Sequence, residues 1–322
     1  SNNDGIAFFD DNETTCQIDV LKDEVFGDLK GKAIIKCKNK EIFSADINFD
    51  NNGKFGKGYD VVFKGGLSGE LEFFDTKTKL VSISKRIPSK IMFDNKYPYK
   101  SSMSKTMQKS FKILSDDLKK RFDPHLLLEI GSNDGALIKN FKVKNVIAIE
   151  PCKNLANITN KMGYKTFNNY WNLNTSNKIR DKFDKVDLVY SANTITHISN
   201  LNEVFKSIIN ILSDDGVLII EDPSLLACLK KVSYDQFYNE HIHVFSALSL
   251  KNIIKKFELE LFDIKNLNTH GGSLRYFIKK SNNKKIKIKI SVENQINKEL
   301  AQGLDNLKVY KKFALNSLKS RN

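Results

Sequence analysis

Between Leu126 and Asp222 the chain alternates short unbroken apolar runs with segments whose apolar residues recur every three or four positions. LLLEI (Leu126–Ile130), VIAIE (Val146–Glu150), VDLVYSA (Val186–Ala192) and GVLIIED (Gly216–Asp222) are dominated by consecutive apolar side chains, the pattern of strands buried on both faces. Between the last two runs, apolar residues fall at 201, 204, 205, 208, 209 and 212, which predicts an amphipathic helix. Strands of this kind separated by helices predict an α/β fold with a parallel, doubly wound sheet. Two later segments, LELFDIKNL and SLRYFIKK, are further strands, and residues 291–318 are helical in pattern and rich in lysine.

Upstream the pattern changes. Residues 30–85 carry short strand-like runs punctuated by turn signals, Asn51-Asn52-Gly53 and glycines 65, 66 and 69. These glycines do not open a helix, so turns explain them better than a phosphate cradle. Ser104–Phe122 has apolar residues at Met107, Phe111, Leu114 and Leu118 and is stopped by Asp123-Pro124, which predicts a helix. The expected organisation is a β-rich N-terminal domain over 1–95, a helical connector over 96–125, the catalytic core over 126–280 and a helical segment over 281–322.

Composition narrows the possibilities. With 322 residues the chain is long enough for two domains, and it holds no apolar run near the ~20 residues that span a bilayer. Its acidic beginning lacks a secretory pattern, and Cys16, Cys37, Cys152 and Cys228 form no CxxC pair. A reducing cytoplasm is therefore expected, with no disulfide framework and no zinc. The net charge of +14 would suit an anionic partner, but only five of the 52 basic residues are arginines and the lysines are spread along the whole length. That describes a solvated surface better than a nucleic-acid groove.

The chemistry concentrates in Leu127–Pro151. An apolar strand ending near Glu129 runs into Gly131-Ser132-Asn133-Asp134-Gly135 and then, by expectation, a helix. Such a turn at the carboxyl edge of a parallel sheet is where these folds bind ligands. Asn133 stands where a dinucleotide fingerprint has its middle glycine, and Glu150 at the end of the next strand is placed for both hydroxyls of a ribose. An acidic turn suits a cofactor with a cationic sulfonium and no phosphate, S-adenosylmethionine; a nicotinamide cofactor is the alternative. Glu129, Gly131, Ser132, Asn133, Gly135, Glu150, Pro151, Ala192 and Asn193 are the expected cofactor contacts.

YPYKSSMSKTM, EIGSNDG, EPCKNLA, SANTITHISNLNEVF, YDQFYNEHIHVFS and HGGSLRYFI occur in one order over residues 85–318. In this the chain resembles the S-adenosylmethionine-dependent sugar C-methyltransferases, which methylate a carbon of nucleotide-linked 4-keto-deoxysugars. The resemblance implies a Rossmann-like class I methyltransferase, its sheet closed by an antiparallel strand, with a small β-rich N-terminal domain. It implies that His241 of Tyr238-Asn239-Glu240-His241 is the base that forms an enolate, with Tyr238 and Glu240 orienting the substrate or stabilising that enolate. A tyrosine of Tyr97-Pro98-Tyr99 would reach over the pocket, Tyr99 by position, and His270, Gly271 and Arg275 would approach from a second loop. His197 is expected to pack behind the cofactor. His241 and His243 lack a third ligand at useful spacing, so no metal is expected.

The chain departs from that family in two ways. Residues 1–84 supply Cys16 and Cys37 where the family has four zinc-binding cysteines, and the chain stops near where a second α/β domain would begin. The expectation is an excised piece or a different acceptor; a nucleotide-linked deoxy-ketosugar remains the leading small-molecule acceptor, and a carrier-bound β-keto intermediate is the alternative. An O-methyltransferase and a non-catalytic cofactor-binding module are the remaining rivals, and the sequence leaves the oligomeric state open.

Overall fold

The computed structural model describes residues 9–11, 14–25, 28–37, 40–48, 59–64, 71–83 and 88–321 except Asn239, with side chains from Phe74 to Lys319 except that of Leu318. The turns expected at Asn51-Asn52-Gly53 and at Gly65, Gly66 and Gly69 lie outside the described residues. Two compact units result, Ser1–Asp60 and Val61–Asn322. The first holds an antiparallel sheet of β1 (Phe9–Asp11), β2 (Thr14–Val25), β3 (Asp28–Cys37) and β4 (Lys40–Asn48) in that order. Beyond β5 (Tyr59–Lys64), β6 (Leu71–Asp75) pairs with β7 (Val81–Ile83), and β7 pairs with β13 (His243–Val244) of the second unit.

After a short helix α1 (Ser89–Met92) comes α2 (Lys105–Phe122), as its periodicity requires. Ser104 caps it by accepting the Met107 N–H at 3.2 Å, and Asp123 ends it in the left-handed region, just before Pro124. Its apolar stripe of Met107, Phe111, Leu114 and Leu118 is buried.

The central sheet consists of β8 (Leu127–Ile130), β9 (Val146–Ile149), β10 (Lys165–Phe167), β11 (Val186–Ala192), β12 (Leu212–Pro223), β14 (Leu259–Leu267) and β15 (Ser273–Lys280). Their order is β10-β9-β8-β11-β12-β15-β14. The first five are parallel, whereas β15 is antiparallel to β12 and β14 to β15. This is a Rossmann-like class I methyltransferase sheet, with the antiparallel closure that the two late strands were expected to supply. Helices α3 (Lys153–Lys161), α4 (Leu173–Phe183), α5 (Leu201–Ile211), α6 (Leu225–Lys231), α7 (Ala247–Ile254), α8 (Ile290–Ala301) and α9 (Leu307–Arg321) complete the unit. No helix among the described residues is long and apolar enough to cross a membrane.

One expectation fails at a telling place. The helix foreseen after Gly135 is only a 3-10 turn, Ile138–Asn140. The reason is competition for the sheet face. Helix α2 already packs its stripe against Ala136, Leu137 and Ile138 and against Leu127, Val146 and Leu188 of the strands. The β8–β9 connection therefore has no open face on which to lay a longer helix.

Arg275 on β15 stands opposite Glu221 on β12. Its Nε and Nη2 both lie 2.8 Å from Glu221 Oε2, and Tyr190 donates to the same oxygen at 3.3 Å. Both side chains are buried, so either one left alone is an uncompensated charge. Glu221→Ala is expected to cost about 3–5 kcal/mol in urea unfolding, and the apolar double variant Glu221→Leu/Arg275→Met much less. Equal losses in the two would show that the pair does not act as a unit.

Candidate active site

The carboxyl ends of β8, β9 and β11 open into a cavity of about 770 Å³. Gly131 follows β8 with φ +74°, a left-handed value that favours glycine, and a methyl there would also run into the Thr194 side chain. The turn sends Asn133 N–H to Glu150 Oε2 at 2.8 Å, while Cys152 N–H reaches Glu150 Oε1 at 2.9 Å. Each carboxylate oxygen thus keeps a further lone pair for a ligand hydroxyl. Burial raises the Glu150 pKa, opposed by these two N–H donors. Burial, and secondarily the neighbouring Glu150 and Asp134, push the Glu129 carboxyl well above the usual carboxylate range. Glu129 Oε2 and Ser132 Oγ are buried with no hydrogen-bond partner.

Of the expected cofactor contacts, Glu129, Gly131, Ser132, Asn133, Glu150, Pro151, Ala192 and Asn193 line this cavity. Gly135 does not; with φ +81° it shapes the turn behind. Tyr97, Tyr99, Tyr238, Glu240, His241 and His270 line the same cavity, so two distant stretches of sequence meet in one site. Gly271 and Arg275 lie outside the lining, Arg275 being held in the sheet by Glu221. The described residues that line it include no lysine or arginine.

His241 is 7% exposed. Its Nδ1 donates to the Gln236 carbonyl at 3.0 Å, which leaves Nε2 to accept the Tyr238 hydroxyl at 2.9 Å. Burial, then the adjacent His197, lower its pKa from 6.5 to about 3. Tyr238 is 41% exposed and its hydroxyl is pushed up to about 12, first by burial and then by Glu240. Of the two strap tyrosines it is Tyr97 whose hydroxyl reaches Glu240, at 3.4 Å, whereas the Tyr99 ring is 47% exposed.

Further residues line the cavity, among them His197, which was expected only to pack. His197 lies against His241, the rings tilted by 43° with centroids 5.2 Å apart, and hydrogen-bonds the Glu240 carbonyl through Nδ1 at 2.5 Å. Its pKa is lowered, chiefly by burial. It is a wall of the site beside the expected base as well as a packing residue. Phe93, Cys152, Tyr170, Trp171 and Thr194 also face the cavity. Trp171 is the one tryptophan of the sequence, which was the only hint.

Residues 99–263 match the methyltransferase domain family, just over half of the chain. The chain belongs to that family. Its domain is that of an S-adenosylmethionine-dependent methyltransferase, and the site fits the cofactor. Glu150 can take hydroxyls, the orphaned Glu129 and Ser132 oxygens can meet polar hydrogens, and nothing cationic among the described lining residues competes with a sulfonium. Residues 268–322 match a second family, the C-methyltransferase C-terminal domain. The C-methyltransferase NovU of Streptomyces niveus is 28% identical over 194 residues, which are 60% of this chain and 46% of that protein. The chain therefore spans less than half of that relative's length. Among solved structures, an S-adenosylmethionine-dependent methyltransferase from Clostridium acetobutylicum is 15% identical, with TM-score 0.41, over 53% of this chain and 91% of that one. A magnesium protoporphyrin IX methyltransferase from Synechocystis is 12% identical, with TM-score 0.40, over 53% and 82%.

The buried histidines of the methyltransferase domain make its stability depend on pH. An unfolded His241 binds a proton near 6.5, the folded one only near 3. The unfolded state therefore holds more protons across that window, and stability falls as pH drops through it. His197 and His270 shift in the same direction. The expected loss is about 1.4 kcal/mol per pH unit for each group that stays neutral. The buried Glu129 and Asp222 carboxyls, held toward protonation, act in the opposite direction. The histidine contribution is therefore read as the difference between the natural protein and His241→Asn, in urea midpoints followed by Trp171 emission between pH 7 and 4.5. His241→Asn should lose less stability on acidification, by about one proton of slope; an unchanged slope would mean that His241 titrates normally.

Proposed function

We propose that the chain is a C-methyltransferase that acts next to a ketone. The observation that carries this is the Tyr238–His241 pair, whose imidazole is neutral and hydrogen-bonded through Nε2 in the wall of the cofactor cavity. The match to the C-methyltransferase C-terminal domain and the relative named a C-methyltransferase support it.

S-adenosylmethionine supplies a methyl group on a sulfonium, open to attack by a nucleophilic carbon. The protein's task is to create that carbon. His241 takes the α-proton of the ketone at Nε2, where its lone pair is now held by Tyr238. The electron pair of the broken C–H bond moves toward the ketone oxygen as an enolate. The Tyr238 hydroxyl, released from the imidazole, is then a donor for that oxygen. The Gln236 carbonyl fixes the tautomer by holding Nδ1–H. Glu240 and Tyr97 border the same space, and His197 keeps water and a second charge away from His241. Glu150, Glu129 and the Gly131–Asn133 turn would hold the cofactor.

For the acceptor we favour a nucleotide-linked deoxy-ketosugar. Its reacting ring is uncharged, as a cavity without described lysine or arginine requires, and its phosphates would lie outside. A carrier-bound β-keto intermediate satisfies the same condition.

Candidate ketones incubated in deuterated water, with S-adenosylhomocysteine in place of the methyl donor, should exchange the proton next to the carbonyl. His241→Ala should lower both this exchange and methyl transfer by about 10²–10⁴-fold while S-adenosylhomocysteine still binds. Methylation of a hydroxyl without carbon-bound exchange would replace the proposal with O-methyl transfer. Retained biological function in His241→Ala would point to a non-catalytic module.

A further inference from the structure

The left-handed turn after β8 needs no side chain at its third position. Asn133 has φ +49°, a conformation glycine would adopt at no cost, and its contribution to Glu150 is made by its backbone N–H. Its amide group turns elsewhere. Asn133 Oδ1 accepts the Ser101 N–H at 2.9 Å, and Nδ2 donates to the Tyr99 carbonyl at 3.2 Å. The same oxygen also accepts the Asp134 N–H at 2.9 Å, which fixes the side chain against its own turn. Next to it, the Asp134 carboxylate accepts the Ser102 hydroxyl and the Ser102 N–H, the latter at 3.2 Å.

The segment so held crosses the site. Asn154, in the first turn of α3, donates to the Tyr97 carbonyl at 2.9 Å, and Tyr97 ends on Glu240. One strap thus joins the cofactor turn, the helix after Glu150 and the segment that carries His241. Its side chains Tyr97 and Tyr99 line the cavity.

We propose that Asn133 is a positioning residue: its side-chain amide clasps residues 99–101 to the cofactor turn and thereby sets Tyr97 and Tyr99 in the cavity wall. It acts on the strap and not on the cofactor. That the two tyrosines then face an acceptor rests on the C-methyltransferase reading; the clasp does not.

The test compares Asn133→Gly with Asn133→Asp in the full chain. Glycine keeps the turn and removes the amide. Aspartate keeps an oxygen for the Ser101 N–H but opposes the Tyr99 carbonyl with a second acceptor. Residue-resolved hydrogen exchange is read without ligand, and S-adenosylhomocysteine binding by calorimetry. In Asn133→Gly the Ser101 amide should exchange about tenfold faster or more, while the backbone N–H that Glu150 accepts is kept. In Asn133→Asp the Ser101 amide should stay protected, a rescue that general loosening would not produce. Unchanged Ser101 exchange in Asn133→Gly would overturn the clasp. So would a loss of more than about tenfold in S-adenosylhomocysteine affinity with the strap still protected, since the amide would then serve the cofactor. If the natural protein fails to bind S-adenosylhomocysteine, the cofactor assignment falls, while the ligand-free exchange still decides the clasp.

Discussion

A buried carboxylate held between two strand ends is the constraint on which the site rests. Glu150 is 4% exposed, and its two oxygens are satisfied by N–H groups from two different loops, at Asn133 and Cys152. A carboxylate in such a place is expensive unless both oxygens are met. They are met only because β8 and β9 are parallel neighbours and the chain can reverse at Gly131. The glycine, the pairing of the strands and the acid are therefore one device. Loss of the glycine turn would take the Asn133 donor from the carboxylate, and loss of the acid would leave two N–H groups without their acceptor.

The same economy governs the charges around it. Glu129 lies deep and is held toward its protonated form, whereas Glu150 has backbone donors to support ionisation. His197, His241 and His270 are all driven toward neutrality, chiefly by burial. The cavity thus combines acceptors for a cationic cofactor with an unprotonated imidazole. A protonated His197 beside His241 would repel the charge that His241 acquires when it accepts a proton.

Much of the central sheet was legible because doubly buried strands must be apolar at successive positions. LELFDIKNL and SLRYFIKK coincide with β14 and β15, and the Met107–Leu118 stripe with α2. What escaped was polar. β2 and α4 mix charges with few apolar residues, and the short strand β10 lies at the sheet edge, where only one neighbour pairs with it. The cofactor end of the site was legible because it is local: strand, turn and acid lie within one short stretch. Arg275 was drawn toward the site by its place in a motif, yet its charge is answered by Glu221 on the neighbouring strand. The contact of His197 with the Glu240 carbonyl joins residues 43 positions apart, which no spacing rule announces. Asn133 was assigned to the cofactor by its place in the glycine-bearing turn; that its side chain reaches residues 99–101 follows only from the fold.

Helix α2 has a consequence for how the chain is made. Its stripe covers strands that all come later, as far as Phe277 on β15. On a ribosome the helix emerges first and must wait on the order of ten seconds, at ordinary elongation rates, for its last partner. Throughout that interval Met107, Phe111, Leu114 and Leu118 form an open apolar face. The feature that shortens the β8–β9 connection in the finished protein thus leaves the nascent one dependent on shelter until the sheet is nearly complete.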